Sequence, residues 1–280
     1  MITCVLIGGL GNQLFQIFAT IAYAIEYKKS FGFLDEKYSK GITKRVTYWD
    51  SFFSPLKFFT LKTLFDNPVQ REKSFEYLTL EPPTKTDDLV LVGYFQSYKY
   101  FEKHFSAICR LIKLDKTKTQ IVNNHSNNYK SISMHFRIGD YASLTEFHPI
   151  LEYDYYEKSL QVIIDNKLKE TNPKSKINVL YFCEKKDNDA VNEIINELRI
   201  KFPSVEITKA NDNISDWEQM IMMSCCDHNI IANSTFSWWG AYLNNNKEKI
   251  VCYPDKWFGP KNANLSTKDL FPESWICVKY

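Results

Sequence analysis

The sequence predicts an α/β protein made of two halves around a cleft, and three features carry that expectation. Strand-like apolar runs and helical stretches alternate regularly through the second half of the chain. A short strand, a glycine turn and an amphipathic helix open the first half. Between the halves, Asn123-Asn-His-Ser-Asn-Asn128 is polar and turn-like. The boundary is placed there, giving an N-terminal domain over residues 1–128 and a C-terminal domain over 129–280. Regular alternation implies a parallel sheet covered on both faces.

In chain order, Ile2-Thr-Cys-Val-Leu-Ile7 reads as a buried strand and Gly8-Gly-Leu-Gly-Asn12 as a turn. A helix follows with Leu14, Ile17, Phe18, Ile21, Ala22 and Ile25 on one face, and Lys28 and Lys29 suit its C-terminal end. Phe31-Gly-Phe-Leu34 is a plausible second strand. Residues 37–88 are hard to read, with Pro55, Pro68, Pro82 and Pro83 breaking up aromatic patches. Strand character returns at Leu89–Phe95, and Tyr98–Leu114 reads as one helix.

The second half begins with Ser131-Ile-Ser-Met-His-Phe-Arg-Ile-Gly-Asp-Tyr141. Ile132, Met134 and Phe136 alternate with Ser133, His135 and Arg137, the period of a strand, which turns the apolar three inward and projects His135 and Arg137 together. Gly139 ends that strand, and Asp140-Tyr141 begins a loop. Helices are expected near 151–170, 187–201, 215–226 and 235–245. Strands are expected at 177–182, 205–208, 229–232 and 249–253.

Composition narrows the function. Hydrophobic residues at 44% and charged residues at 24% describe a globular chain, and a net charge of +2 argues against nucleic acid as a partner. The 20 Phe, 17 Tyr and 6 Trp suit sugar recognition or a packed core equally well. Seven cysteines form no C-x-x-C pair, which points to a reducing, cytoplasmic compartment. Residues 1–25 are apolar, but Gly8, Gly9, Gly11, Asn12, Gln13 and Gln16 interrupt them, so no transmembrane segment is expected. Peripheral contact with a membrane is compatible with this reading.

Several constellations bear on chemistry. A cation and an imidazole at the carboxyl end of a strand sit where α/β folds bind ligands, although an Arg there also serves ordinary ion pairs. Asn233-Ser-Thr-Phe-Ser-Trp-Trp239 opens a helix after a buried strand; it offers either plain capping or an anion site. Arg137 on the same inferred sheet favours a diphosphate. Asp187-Asn-Asp189 resembles a metal-binding pair but more simply opens a helix, so no metal is expected. The five histidines show no zinc spacing, and no nucleophile elbow is present. Gly9-x-Gly11 lacks the third glycine of a dinucleotide fingerprint. Glu146 and His148, in Thr145-Glu-Phe-His-Pro149, remain as candidates for a general base.

Gly8-Gly-Leu-Gly-Asn-Gln-Leu-Phe-Gln16, His135-Phe-Arg-Ile-Gly-Asp-Tyr141 and Asn233-Ser-Thr-Phe-Ser-Trp-Trp239 together resemble the α-1,2-fucosyltransferases of glycosyltransferase family 11, in that family's order along nearly the whole chain. Ile138 stands where the family has a second Arg. The resemblance implies a GT-B-like fold of two Rossmann-like domains facing a cleft, with GDP-fucose as co-substrate, no cofactor and no metal. It implies donor binding by His135, Arg137, Asp216, Ser234, Thr235, Phe236 and Ser237. Acceptor binding falls to Gly9, Gly11, Asn12 and His148, and catalysis to Glu146, Arg137 and Asn12. Thr145-Glu-Phe-His-Pro-Ile150 is similar to a segment of α-1,6-fucosyltransferases whose Glu is regarded as the base, two residues shorter here. The implied reaction is an inverting transfer of fucose to a galactose 2-hydroxyl in a glycan acceptor. Other GDP-sugar transferases, protein O-fucosyltransferases and a non-catalytic binding module are the alternatives.

Overall fold

A computed structural model describes residues 1–41, 44–63, 68–83, 88–125, 129, 131–170 and 177–280, with side chains of the helix ending at 170 described through 166. The chain forms two compact units, Met1–Thr117 with Leu265–Pro272, and Lys118–Asn264 with Glu273–Tyr280. The division therefore falls at Thr117/Lys118, ahead of the expected 128/129, and a later segment joins the first unit. Residues 126–128 of the expected boundary lie outside the described residues.

In the first unit, β1 (Ile2–Cys4), β4 (Val69–Arg71) and β5 (Leu89–Val92) form a parallel sheet in the order β1-β5-β4. β2 (Phe33–Leu34) pairs in parallel with β3 (Thr60–Leu61), and Phe31 bridges to Ile2. The expected strand at 2–7 stops at Cys4, because the chain must turn through Gly8, whose φ is +82°. Helix α1 (Leu10–Glu26) follows, and it is buried all round from Leu10 to Ala24, Asn12 excepted, not on one face as predicted. Its polar positions are accommodated by hydrogen bonds. Gln16 accepts from the Ile7 amide (2.9 Å) and donates to the Ile7 carbonyl (3.2 Å), while Gln13 donates to the carbonyls of Gly8 (3.0 Å) and Val46 (2.8 Å). Two glutamines of the helix thus clamp the turn that precedes it, satisfying main-chain groups that burial would leave costly. Lys28 and Lys29 form the cap itself: Lys28 is left-handed (φ +52°), and their amides donate to Ile25 and Ala24 in the Schellman pattern.

The helix predicted over 98–114 is broken. Two 3₁₀ turns lead into α2 (Phe105–Leu111), and Lys113 at φ +55° separates it from α3 (Leu114–Asn124). Phe101 sits between the 3₁₀ turns with its ring 6.0 Å from Phe15 and 5.5 Å from Phe18, so aromatic packing on α1 overrides a continuous helix. The returning segment is fastened by Asp269. Its carbonyl accepts from Ser97 Oγ (2.6 Å), and its carboxylate accepts from the Tyr77 amide (3.1 Å) and pairs with Lys99 (2.6 Å).

The second unit carries a six-stranded, all-parallel sheet in the order β11-β10-β9-β6-β7-β8. Its strands are β6 (Ile132–His135), β7 (Ile177–Phe182), β8 (Val205–Lys209), β9 (His228–Ile230), β10 (Val251–Pro254) and β11 (Ile276–Val278). Between them run α4 (Tyr153–Glu170), α5 (Asn188–Lys201), α6 (Asp216–Cys225) and α7 (Thr235–Tyr242). The alternation read from sequence is thus present with shifted ends, and β11 is the strand it missed. β6 is central, so Ser133 and His135 are buried along with Ile132 and Met134. The predicted inside–outside alternation therefore fails, because both faces of a central parallel strand are covered. Ser133 is accommodated by Asn229, whose Nδ2 donates to its Oγ at 2.7 Å.

On one face the core gathers Ile132, Met134 and Phe136 with Tyr155, Tyr156, Leu160 and Ile163 of α4. α6 packs on α7 closely enough that a Cβ on Gly240 would lie 2.8 Å from Met223 Cβ. Buried Lys118 donates to the carbonyls of Ser224 and Leu243 (3.4 and 2.5 Å), and Lys249 to those of Ala241 and Asn244 (2.8 and 2.5 Å). Two ammonium groups therefore satisfy the carbonyl ends of α6 and α7. No described helix is long and apolar enough to cross a membrane.

The opening turn supplies a prediction. A Cβ on Gly8 would meet Asn12 Nδ2 at 2.6 Å in a left-handed conformation, whereas one on Gly9 (φ −79°) meets nothing within 4 Å. Gly8→Ala is expected to cost about 1–3 kcal/mol in urea unfolding, and Gly9→Ala less than about 1 kcal/mol.

Candidate active site

All six strands of the second unit run parallel, so their carboxyl ends share one edge. From β6 the chain builds outward through β7 and β8, then returns to lay β9 on the other side of β6. The reversal point lies between β6 and β9, where open α/β sheets bind ligands. Residues after β6 and β9 meet there. The His135 ring is 5.4 Å from that of Phe236, and Tyr141 Oη donates to the Asn233 carbonyl at 3.2 Å.

Arg137 leaves the end of β6 between two carboxylates. Its Nη2 donates to Asp140 at 2.5 Å, and its Nη1 donates to Glu184, which follows β7. The guanidinium also lies 5.0 Å from the centre of the Tyr141 ring. Gly139 turns the loop at φ +43°, and its amide donates to Asp187 at 2.9 Å. Asp187 thus fastens the β6 loop to the β7 loop, and Asp189 lies in the first turn of α5. Among the described residues, no group of three or more His, Cys, Asp or Glu is placed to hold a metal. Ile138 packs against the hydrophobic core.

His135 is buried, and its Nδ1 has no hydrogen-bond partner among the described residues. Burial first, and then the Arg137 charge, push its pKa down to about 3, so the ring is neutral at physiological pH. Its backbone carbonyl is fixed by Tyr156 Oη at 3.2 Å.

Ser234 caps α7, its Oγ accepting from the Phe236 amide at 3.3 Å. Thr235 and Phe236 form the first turn, half-buried. Ser237 Oγ turns back on its own backbone, donating to Ser234 O (3.3 Å) and Ala232 O (3.5 Å), so it braces the turn. Asn233 ties three loops together: its Nδ2 donates to Pro149 O at 2.9 Å and Trp257 O at 3.4 Å. Its Oδ1 is buried without a partner among the described residues. Asp216 is exposed in the first turn of α6, accepting from the Trp217 amide at 2.7 Å, beside a Ser215–Glu218 capping box.

Beyond Arg137 the loop carries Glu146 and His148. His148 is half-buried and stacks on Tyr141 at 4.4 Å, and burial first lowers its pKa. Glu146 is exposed and pairs with Lys261 at 2.6 Å. The backbone around it is pinned by Gly259 N to Phe147 O (2.8 Å) and Lys261 N to Glu146 O (2.9 Å). Gly259 is required for this approach, since a Cβ would lie 2.5 Å from the Glu146 carbonyl oxygen.

In the first unit, Asn12 projects from the first turn of α1, and its Oδ1 accepts from Gln96 Nε2 at 3.0 Å. Gln96 is itself positioned by Glu72, which accepts from the amides of Tyr94 (2.7 Å) and Phe95 (2.9 Å), the latter left-handed at φ +53°. Burial raises the Glu72 pKa. Gly9 and Gly11 flank the start of α1, Gly9 as its N-cap and Gly11 buried within it.

The model for glycosyl transferase family 11 matches residues 71–279. The chain belongs to that family. The O-antigen biosynthesis glycosyltransferase WbnK of Escherichia coli is 27% identical to it over 325 residues, covering 99% of both chains. An alpha-1,2-colitosyltransferase of Escherichia coli is also 27% identical, over 98% of this chain and 97% of its own. Among solved structures, a mutant Arabidopsis thaliana FUT1 in complex with GDP aligns at a TM-score of 0.50 and 11% identity, over 91% of this chain and 71% of that one. The fold of this family-11 glycosyltransferase is accordingly GT-B-like α/β.

The neutral His135 sets a pH dependence. Its folded pKa near 3 lies below the ordinary value of about 6.5 for a histidine, so its contribution to stability is present above pH 6.5 and is lost as pH falls toward 3. In this window a single such group contributes a slope of about 1.4 kcal/mol per pH unit. His135→Gln is expected to flatten the unfolding free energy against pH over that range relative to wild type. An unchanged difference between the two proteins from pH 7 to 4 would mean that His135 is not buried in its neutral form.

Proposed function

We propose that this glycosyltransferase moves L-fucose from GDP-β-L-fucose to the 2-hydroxyl of a terminal galactose in a glycan, inverting the anomeric centre. The observation that supports it most is the meeting of the β6 loop, which carries Arg137 oriented by Asp140, with the segment that opens the capped α7, at the strand-order reversal. A guanidinium and a helix N-terminus are two independent ways of stabilising a diphosphate. In this reading Arg137 and the Ser234-Thr235 turn meet the negative charge that grows on the departing β-phosphate. One such preorganised donor is worth about 3–4 kcal/mol in the transition state. His135 and Phe236 line the nucleoside side.

The acceptor hydroxyl attacks the anomeric carbon from the face opposite GDP, and the carbon–oxygen bond to GDP breaks. The acceptor's proton passes to the Glu146 carboxylate, and GDP leaves as an anion without needing a general acid. His148, stacked on Tyr141, is assigned to the acceptor, as are Asn12, Gly9 and Gly11. Lys261 must share the Glu146 carboxylate with the incoming hydroxyl, which the exposure of both side chains allows. No metal takes part, since Arg137 and the helix start carry the charge. A colitosyl donor is the second reading, favoured by the name of the colitosyltransferase relative.

Purified protein incubated with GDP-fucose and a panel of galactosides is expected to release GDP and form an α-1,2-linked product, undiminished by EDTA. Transfer from a GDP-colitose donor alone would establish the second reading, and a loss above about tenfold restored by Mg²⁺ would place a metal in the mechanism. Arg137→Ala should lower kcat/KM by about 10²–10³, with Arg137→Lys intermediate because it keeps charge without the planar fork. Glu146→Gln should lower kcat about 10²-fold or more with donor binding little changed. Wild-type kcat in Glu146→Gln, with activity abolished in His148→Gln, would exchange their roles.

A further inference from the structure

Glu184 has no part in the mechanism above, yet it competes for its central cation. Its two carboxylate oxygens face different partners: Oε1 accepts from Arg137 Nη1, and Oε2 lies 3.1 Å from Lys186 Nζ. Asp140 holds the other end of the guanidinium. A diphosphate reaching Arg137 therefore meets a cation already matched by two carboxylates and adds negative charge beside them.

We propose that Glu184 is an exchangeable partner of Arg137, a positioning residue that holds the guanidinium until the diphosphate takes over Nη1. Glu184 then turns fully to Lys186, and it recaptures Arg137 as GDP departs. This rests on Arg137 gripping the diphosphate. Three observations favour exchange over a fixed bridge. Lys186 gives the displaced carboxylate a ready partner, so no charge is left unpaired. The Glu184 side chain is 43% exposed, so its pairing with Arg137 is screened enough to rearrange. The loop can stay fixed while Glu184 moves, because Asp187 holds the Gly139 amide and Asp140 keeps its own bond to Arg137. Gly139 leaves room for the Arg137–Glu184 pair itself, since a Cβ there would lie 2.8 Å from Glu184 Oε1 and 3.3 Å from Arg137 Nη1.

Calorimetric titration of the full chain with GDP tests this. Glu184→Gln should bind GDP about threefold to fivefold more tightly, and release it more slowly, because a partly exposed competing pair is worth about that much. Lys186→Gln should weaken binding by a similar factor, and that weakening should vanish in the Glu184→Gln background. Weaker or unchanged GDP affinity in Glu184→Gln would overturn the exchange and make Glu184 a fixed orienting group. A Lys186→Gln penalty that persists in the double variant would also overturn it, by placing Lys186 on the phosphate. Arg137→Ala separates the premise: wild-type GDP affinity there removes the diphosphate grip and the exchange with it. Lost affinity there, with no tightening in Glu184→Gln, removes the exchange alone.

Discussion

A parallel strand can be joined to its neighbour only by a crossover, and this chain spends α4 and α5 laying β7 and β8 to one side of β6. Returning to the other side of β6 brings the loops after β6 and β9 together at the sheet's carboxyl edge. That constraint sets the loop carrying Arg137 against the segment that opens α7, through Tyr141 and Asn233. It also brings Asn233 into reach of Pro149 and Trp257, so that one buried amide ties the three loops that frame the site. The side chains of the site are thus carried on loops, but each loop is fixed at its root by a strand whose neighbours are set.

Electrostatics at the edge is unusually balanced for a site assigned to an anion. Arg137 is shared by Asp140 and Glu184, and the neighbouring imidazole is held neutral by burial. The positive character available to a ligand is directional, lying in unused guanidinium N–H groups and in the amides that open α7, and it does not come from excess charge. This arrangement favours a ligand that can accept several hydrogen bonds in a set geometry over one that merely carries negative charge.

Much of this was legible in the sequence because the second unit obeys simple periodicity. Strand, helix and turn signals recur there, and Arg137, Asp140 and the Ser234 cap fall where strand ends and capping rules put them. Glu184 follows the strand Ile177–Phe182 as Arg137 follows Ile132–His135, so the same rule applied to a second strand would have found it. What escaped notice depends on tertiary context. β11 is only Ile276–Val278, too short to show a pattern. The helix expected over 98–114 broke because Phe101 gains more against Phe15 and Phe18 than a continuous helix would supply. The all-round burial of α1 was hidden because Gln13 and Gln16 look solvent-facing until the backbone groups they satisfy are in place.

The segment Leu265–Pro272 has a consequence for biogenesis. Asp269 anchors Ser97, Lys99 and the Tyr77 amide, contacts that span 170 or more positions along the chain. During synthesis the first unit must wait for those residues until residues 118–264 have been made. Its nascent form therefore exposes the surface that Asp269 later covers, and final closure of that unit is a late step with a high loop-closure cost. A cell making this enzyme holds a half-finished first unit for most of the translation time, which is the interval in which a chaperone has something to bind.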